Sequence, residues 1–191
     1  MGAQKEQKEY WNTESSSDGY CEKQLEGLRE IAVLEMIDAA LARAKLQPKR
    51  ILEIGGGSQF VSRHLCNHYP NAEVVCIDIS EIRIDAFNQY YKGAPGNLRT
   101  VGGVDARLLP FQDGEFDLII GDTMLHHIGF LKLALFEINH YLSDAGKAVF
   151  VREPIVGLLG VWLYRLFRLT GHANKHMEIN CFEYKRMLLQ W

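Results

Sequence analysis

A glycine-rich turn between a buried strand and a helix is the feature that most constrains this chain. Residues 51–54 are apolar except for Glu53, and Gly55, Gly56 and Gly57 follow directly. Consecutive glycines destabilise a chain unless the backbone conformation or a close ligand requires them. The free N–H groups that open the following helix favour an anionic group, either a phosphate or a carboxylate. The turn therefore predicts a ligand site at the end of a strand.

Beyond Pro48, short apolar runs alternate with stretches of helical spacing. This alternation predicts an α/β fold, a Rossmann-like parallel sheet with helices on both faces. The predicted strands are 50–54, 73–78, 98–101, 116–121 and 146–152. The predicted helices are 59–69, 80–91 and 130–142, preceded by one over 22–46.

The chain of 191 residues divides into three expected parts. These are an N-terminal arm or lid over 1–21, a Rossmann-like domain over 22–153 and a helical segment over 154–191. The net charge of −3 gives no global basic field, so nucleic acid is not an expected partner. Four cysteines without a CxxC pair, and an N-terminus without an apolar signal segment, predict a cytoplasmic location.

An acid ends the second predicted strand, and another follows the third. Asp78 lies 21 residues beyond Gly57, where a carboxylate can accept both ribose hydroxyls of a nucleoside. Its alternative role is to cap the helix that begins near Ser80. Asp105 and Ala106 follow the third strand and precede a Pro-Phe-Gln-Asp-Gly-Glu-Phe-Asp run.

In order and spacing, these residues and a later Leu-His-His-Ile run resemble the class I methyltransferases of the ubiquinone and menaquinone biosynthesis type. The resemblance covers about residues 50–153. It implies that S-adenosylmethionine is the cofactor, with its methionine part on the glycine turn, its ribose on Asp78 and its adenine amino group on Asp105. Gln59 stands where the family often has its third glycine, so contact there would be through a side chain or absent.

The resemblance also implies two further strands, the last antiparallel, for which this chain has no room. The helical 154–191 segment is expected on the acceptor side of the site, and it is expected to be truncated. A non-catalytic or incomplete cofactor-binding domain is therefore an alternative to an active enzyme. A nicotinamide-dependent oxidoreductase is less favoured, because Phe60 replaces the last glycine of the dinucleotide fingerprint.

Several groups can bind the remaining parts of the cofactor. The ammonium group can bind Glu53 or the backbone around Gly121, and the Ala106 amide can join Asp105 at the adenine. Ile79, next to Asp78, is also expected to contact the cofactor. The N-terminal arm brings three aromatic residues that either close over the sulfonium or only pack the arm on the domain: Tyr10, Trp11 and Tyr20.

His126 and His127 follow the fourth strand, where the methyl group should emerge. A base is needed only for a weakly acidic acceptor, and His127 is then the first candidate and His126 the second. Helix capping or core hydrogen bonding is the alternative role of both. Adjacent residues on a helix face different ways, so no metal site is expected there. Glu153 is expected on the acceptor side.

The expected function is methyl transfer from S-adenosylmethionine to a small-molecule acceptor, apolar or aromatic. Residues 155–169 combine a broad apolar surface with Arg165 and Arg168. They are expected to form a lid over the acceptor or a membrane-surface contact, with a dimer interface or a core helix as the alternatives.

Overall fold

Five parallel strands form the centre of the fold. The computed structural model describes residues 2–17, 19–24, 28–128 and 131–153. Its sheet contains β1 (Arg50–Ile54), β2 (Glu73–Asp78), β3 (Leu98–Gly102), β4 (Phe116–Asp122) and β5 (Leu142–Val151). The strand order is β3-β2-β1-β4-β5, and every pairing is parallel. The predicted Rossmann-like sheet is confirmed.

Helices cover both faces, because residues of the central strands alternate between two apolar layers. Ile51 packs with α3 (Leu28–Ala44) and α4 (Phe60–His68), whereas Leu52 packs with α6 (Leu131–Tyr141) on the opposite face. The helix α5 (Glu81–Tyr91) lies beside α4. The two helices α1 (Gly2–Ser15) and α2 (Tyr20–Gln24) precede this core.

The strand order places a crevice at the carboxyl ends of β1 and β4. The chain moves outward from β1 through β2 to β3, and then returns to the other side of β1 as β4. Connections on the two sides of this switch point leave the sheet in opposite directions, which opens a crevice between them. The glycine turn after β1 therefore lies where an open α/β sheet binds ligands.

The structure differs from the sequence-based prediction mainly at the two ends. The arm predicted over 1–21 contains α1, and the helix predicted over 22–46 corresponds to the end of α2 and to α3. The strand β5 starts at Leu142, four residues before the predicted start at 146, and a register shift opposite β4 accommodates the extra residues. The 154–191 segment, with its 155–169 helix, lies outside the described residues, so that part of the domain division stays a prediction.

Among the described residues, no helix has both the length and the apolar character needed to cross a membrane. The cytoplasmic location stays a prediction.

Asp117 on β4 connects the starts of three neighbouring segments. Its carboxylate accepts hydrogen bonds from the amides of Lys49 (2.8 Å) and Arg50 (3.2 Å) and from the hydroxyl of Ser143 (3.1 Å). Burial alone would raise the pKa of Asp117, but these hydrogen bonds lower it below its ordinary value. The carboxylate thus stabilises the fold only while it is ionised.

We expect Asp117→Ala to lower the free energy of unfolding by about 2 kcal/mol at neutral pH, because charge-assisted hydrogen bonds are lost. A lowered folded-state pKa gives stability that is present above the ordinary pKa of Asp and lost as the pH falls through the folded value. Urea denaturation from neutral to acidic pH measures both effects. The control is Asp113→Ala, at an exposed ion pair with His140. Equal losses in the two variants would contradict the assignment.

Candidate active site

The glycine turn has a backbone that larger residues would strain. Gly55 has φ +73°, and a Cβ atom there would lie 2.9 Å from the Cβ of Met124. A Cβ on Gly56 would collide with the carboxyl group of Glu53, and one on Gly57 with the side chain of Arg83. Two of these three contacts involve charged groups packed directly against the turn. Glycine is therefore needed here for close approach as well as for the turn itself.

Glu53 lies beneath the turn, at 2% exposure. Its carboxylate accepts hydrogen bonds from the amide of Ser62 (3.0 Å) and from the Ser62 hydroxyl. Burial raises the pKa of Glu53 to about 7, against the lowering effect of these bonds. This buried acid connects the end of β1 to the first turn of α4.

Asp78 holds the turn from the side of β2. Its Oδ2 accepts a hydrogen bond from the Gly57 amide (3.0 Å) and its Oδ1 one from the Ser80 amide (2.8 Å). The Ser80 hydroxyl is the group that caps α5, since it accepts from the Arg83 amide (3.0 Å). A carboxylate has about four acceptor positions, so Asp78 can accept further hydrogen bonds.

A cavity of about 270 Å³ opens above these strand ends. This volume is near the lower end of the usual range for small-molecule pockets, about 300–1,000 Å³. Its lining includes these predicted site residues: Trp11, Glu53, Gly55, Asp78, Ile79, Asp105, Ala106 and His127. Residues from the ends of β1, β2 and β4 and from the loop after β3 therefore meet at one place.

Other predicted residues support the cavity without lining it. Gln59 is fully buried with φ +59°, and its side-chain amide donates to Asn88 Oδ1 (2.8 Å) and the Ile84 carbonyl (3.3 Å). It therefore links the turn to α5. Gly121 leaves room for the side chains of Met124 and Phe150.

The two adjacent histidines have different surroundings. His126 Nδ1 lies 2.9 Å from Glu153 Oε2, and both side chains are buried. Glu153 also accepts hydrogen bonds from the amides of Met124 (2.7 Å), Leu125 (2.9 Å) and His126 (3.3 Å). These bonds hold the short 3₁₀ turn Leu125–His127 against the end of β5. Glu153, expected on the acceptor side, is thus occupied by this turn.

His127 lines the cavity instead. Its ring centroid lies 5.6 Å from that of Trp11, with the two rings nearly perpendicular. Burial, together with the charge of nearby His126, lowers the pKa of His127 to about 4. The imidazole is therefore neutral near physiological pH.

The N-terminal helix α1 packs against the start of α5 and contributes Gln7 and Trp11 to the cavity lining. Asn12 accepts a hydrogen bond from the Ser80 hydroxyl (2.6 Å), and Lys8 pairs with Glu81 (3.1 Å). Trp11 reaches the cavity lining, whereas Tyr10 is 40% exposed. Tyr20 is buried with its ring edge-on to Phe87, outside the lining. Of the three predicted aromatics, Trp11 is thus the one placed at the cavity.

Comparison with known proteins agrees with this arrangement. A family model described as a methyltransferase domain matches residues 51–146, just over half of the chain. The chain belongs to this methyltransferase family. The membership confirms the resemblance to class I methyltransferases, and it implies S-adenosylmethionine as the cofactor.

Relatives of this methyltransferase domain include enzymes of two kinds. The malonyl-[acyl-carrier protein] O-methyltransferase of Geobacter sulfurreducens is 30% identical over 62% of this chain and 43% of its own length. The demethylmenaquinone methyltransferase of Thermus thermophilus is 29% identical over 69% of this chain and 58% of its own. The chain thus spans about half the length of these curated relatives.

A solved structure gives a comparable match. The PH0226 protein of Pyrococcus horikoshii OT3 has a TM-score of 0.51 at 26% identity, over 72% of this chain and 60% of that one.

Four charged residues of the cavity lining were not predicted as site residues: Glu30, Arg83, Asp122 and Arg152. The guanidinium of Arg83 lies over the Trp11 ring (4.9 Å to its centroid) and 3.8 Å from Asp78 Oδ2, while its buried Nε has no hydrogen-bond partner among the described residues. Glu30 on α3 also lines the cavity, and its buried Oε1 has no such partner within the described part of the chain. Burial raises the pKa of Glu30. The sequence held one indication of an unusual role for Arg83: this cation stands three residues after the helix cap Ser80, where a capping box usually has an acid.

The lowered pKa of His127 makes a prediction about acid stability. The unfolded chain binds a proton at His127 more readily than the folded one, so this group costs stability as the pH falls from 6.5 to about 4. The full cost is up to about 3 kcal/mol. We expect His127→Gln to lose less stability than the unsubstituted chain over this interval, as measured by urea denaturation. The exposed His140 provides the control variant His140→Gln. If His127→Gln and His140→Gln had the same pH dependence, the neutral His127 would be disproved.

Proposed function

We propose that this domain binds S-adenosylmethionine in the cavity above β1, β2 and β4 and supports transfer of its methyl group to a small acceptor molecule. One observation carries the proposal. Gly55 of the glycine turn, Asp78 and the Asp105–Ala106 pair, which lie far apart in sequence, border a single cavity that His127 also lines. This is the combination that a ligand with a methionine part, a ribose and an adenine requires.

The residues present fit the parts of the cofactor. The amides at the start of α4 suit its carboxylate, and the free acceptor positions of Asp78 suit the ribose hydroxyls. Asp105, held in place by the Arg107 guanidinium (3.1 Å), and the Ala106 amide suit the adenine edge. The buried oxygen of Glu30, which accepts no hydrogen bond from the residues that the structure describes, suits the ammonium, for which Glu53 is a second candidate. When bound, the cofactor supplies an electrophilic methyl group.

The charge of the cavity favours a cationic ligand. Its lining contains five acids, Glu30, Glu53, Asp78, Asp105 and Asp122, and two arginines, Arg83 and Arg152. Arg152 forms a bidentate pair with Asp122, including an Nε–Oδ1 bond of 2.7 Å. S-adenosylmethionine carries an ammonium and a sulfonium against a single carboxylate. Its net positive charge therefore complements the surplus of acids.

The same charges bear on the acceptor. Both arginines of the lining already lie beside acids, so they offer little positive charge to an anionic acceptor. Trp11, Met124 and Ile128 give part of the lining an apolar surface. We therefore propose an uncharged acceptor with an apolar or aromatic body. Such an acceptor is closer to the demethylmenaquinone in the name of the Thermus thermophilus relative than to the malonyl-[acyl-carrier protein] in the name of the Geobacter sulfurreducens relative.

The residues of the chain contribute positioning and exclusion of water. Trp11 lines the cavity beside His127, and Glu53 and Asp78 fix the turn on which the cofactor would lie. Neutral His127 can accept a proton from an acceptor hydroxyl, although its low pKa makes it a weak base. His126 is the second candidate, but its Nδ1 is occupied by Glu153.

The direct test combines binding with turnover. Calorimetry should detect S-adenosylmethionine binding, and a panel of phenolic, quinol and carboxylic acid acceptors should show S-adenosylhomocysteine formation with the uncharged members. Absence of binding at millimolar cofactor would overturn the proposal. Binding without turnover on any acceptor would favour a non-catalytic domain. Turnover on carboxylic acids alone would overturn the proposed acceptor class.

We expect Asp78→Ala to weaken S-adenosylmethionine binding at least about tenfold, because two hydrogen bonds to a charged group are lost. Calorimetry measures the affinity, and circular dichroism with a thermal melt checks the turn that Asp78 also holds. Asp85→Ala, at an exposed position on α5, is the matched control. An unchanged affinity in a folded Asp78→Ala variant would remove Asp78 from the site.

We also expect Glu30→Gln to weaken cofactor binding at least about tenfold, since a charge-assisted hydrogen bond to the ammonium is lost. Glu35→Gln, at an exposed position on the same helix, should bind as the unsubstituted domain does. Comparing the cofactor with adenosine separates the two ends of the ligand, because adenosine lacks the ammonium. An equal loss for adenosine would show that Glu30 does not act on the methionine part.

A further inference from the structure

A second cluster of chemically competent side chains lies between α3 and α4. Asp38 comes from α3, while His64 and His68 occupy successive turns of α4. Residues four apart on a helix project from the same face, so both imidazoles point toward the same neighbouring helix. A ligand atom from each of the three residues lies within 4.8 Å of those of the other two.

The distances between the ligand atoms need only small changes to suit a bound metal ion. Asp38 Oδ1 lies 2.6 Å from His64 Nε2 and 3.9 Å from His68 Nδ1. Tetrahedral zinc with bonds of about 2.0–2.1 Å separates its ligand atoms by about 3.3 Å. One distance must lengthen and the other shorten, each by a rotation of half-exposed side chains. The side-chain exposures of 42% for Asp38 and 46% for His68 leave room for such rotations.

We propose that Asp38, His64 and His68 form a binding site for a divalent transition metal of the zinc type. Two imidazoles and one carboxylate are ligands that zinc accepts, and the exposed side of the cluster leaves a fourth position for water. The set lacks the several oxygen ligands that calcium requires.

The position of the cluster indicates what the metal would do. Asp38 lies eight residues beyond Glu30 on α3, which is about 12 Å along the helix axis. The metal would therefore bind away from the cavity and join α3 to α4. Its role would be to stabilise the packing of α3 against α4. Glu30 lies on α3, and α4 directly follows the glycine turn.

A matched His–Asp pair elsewhere in the chain provides a control. His140 Nε2 lies 3.1 Å from Asp113 Oδ2, and both side chains are more exposed than those of the cluster. Within the described residues, this pair is not part of a group of three ligands. It should therefore bind metal far more weakly than Asp38, His64 and His68.

The test uses the purified chain without a histidine tag, freed of metal by a chelator. Titration with Co²⁺ is followed by its visible absorption, which is intense for four-coordinate sites, and Zn²⁺ is then added as a competitor. We expect one equivalent of Co²⁺ to bind and one equivalent of Zn²⁺ to displace it. The midpoint of thermal unfolding should rise with the Zn²⁺ concentration.

Variants assign the binding to the cluster. His68→Gln and Asp38→Asn should each weaken metal binding at least about tenfold, and His140→Gln should leave it unchanged. The exposure of Asp38 and His68 makes both changes compatible with folding, which circular dichroism verifies. Absence of stoichiometric binding would overturn the proposal. Binding that survives both His68→Gln and Asp38→Asn would belong to other ligands, and would equally overturn it.

Discussion

The structure depends on two buried carboxylates that fix one turn. Asp78 accepts the Gly57 amide, and Glu53 accepts the amide and hydroxyl of Ser62. These bonds join the end of β1 to β2 on one side and to α4 on the other. Each acid accepts more than one hydrogen bond, which offsets part of the cost of its burial, although at Glu53 burial outweighs these bonds and raises the pKa to about 7. The position of the glycine turn, and with it the cavity, follows from these contacts.

Much of the sheet could be predicted from the sequence, because β1, β2 and β4 are buried on both faces and appear as nearly continuous apolar runs. The predicted bounds 50–54 and 73–78 agree with those observed. The positions of Asp78 and Asp105 were also predictable, since Asp78 ends β2, Asp105 follows β3, and both strands end at the same edge of the sheet. The location of residues at strand ends depends mainly on the topology of the sheet, and the pattern of apolar runs indicates that topology.

Side-chain directions were harder to predict, because they depend on contacts distant in sequence. Gln59 turns toward α5 through Asn88, which lies 29 residues away. Glu153 turns to the amides of the 3₁₀ turn, although its position at the end of β5 suggested contact with the acceptor. Glu30 reaches the cavity from a helix that precedes the whole sheet, and no local motif indicates this.

The contacts of α1 have a consequence for how a ligand would enter and leave. The helix is held by an exposed Lys8–Glu81 pair, by the Asn12–Ser80 hydrogen bond and by Trp11, which packs against Arg83 and His127 in the cavity lining. Exposed ion pairs contribute little, and α1 contributes no residue to the two apolar core clusters, so it is expected to open at a lower free energy than the core. Detachment of α1 would therefore admit or release a ligand while the sheet stays intact. The exchange rate would then depend on this helix, and substitutions at its surface contacts would alter residence time without altering the groups that recognise the ligand.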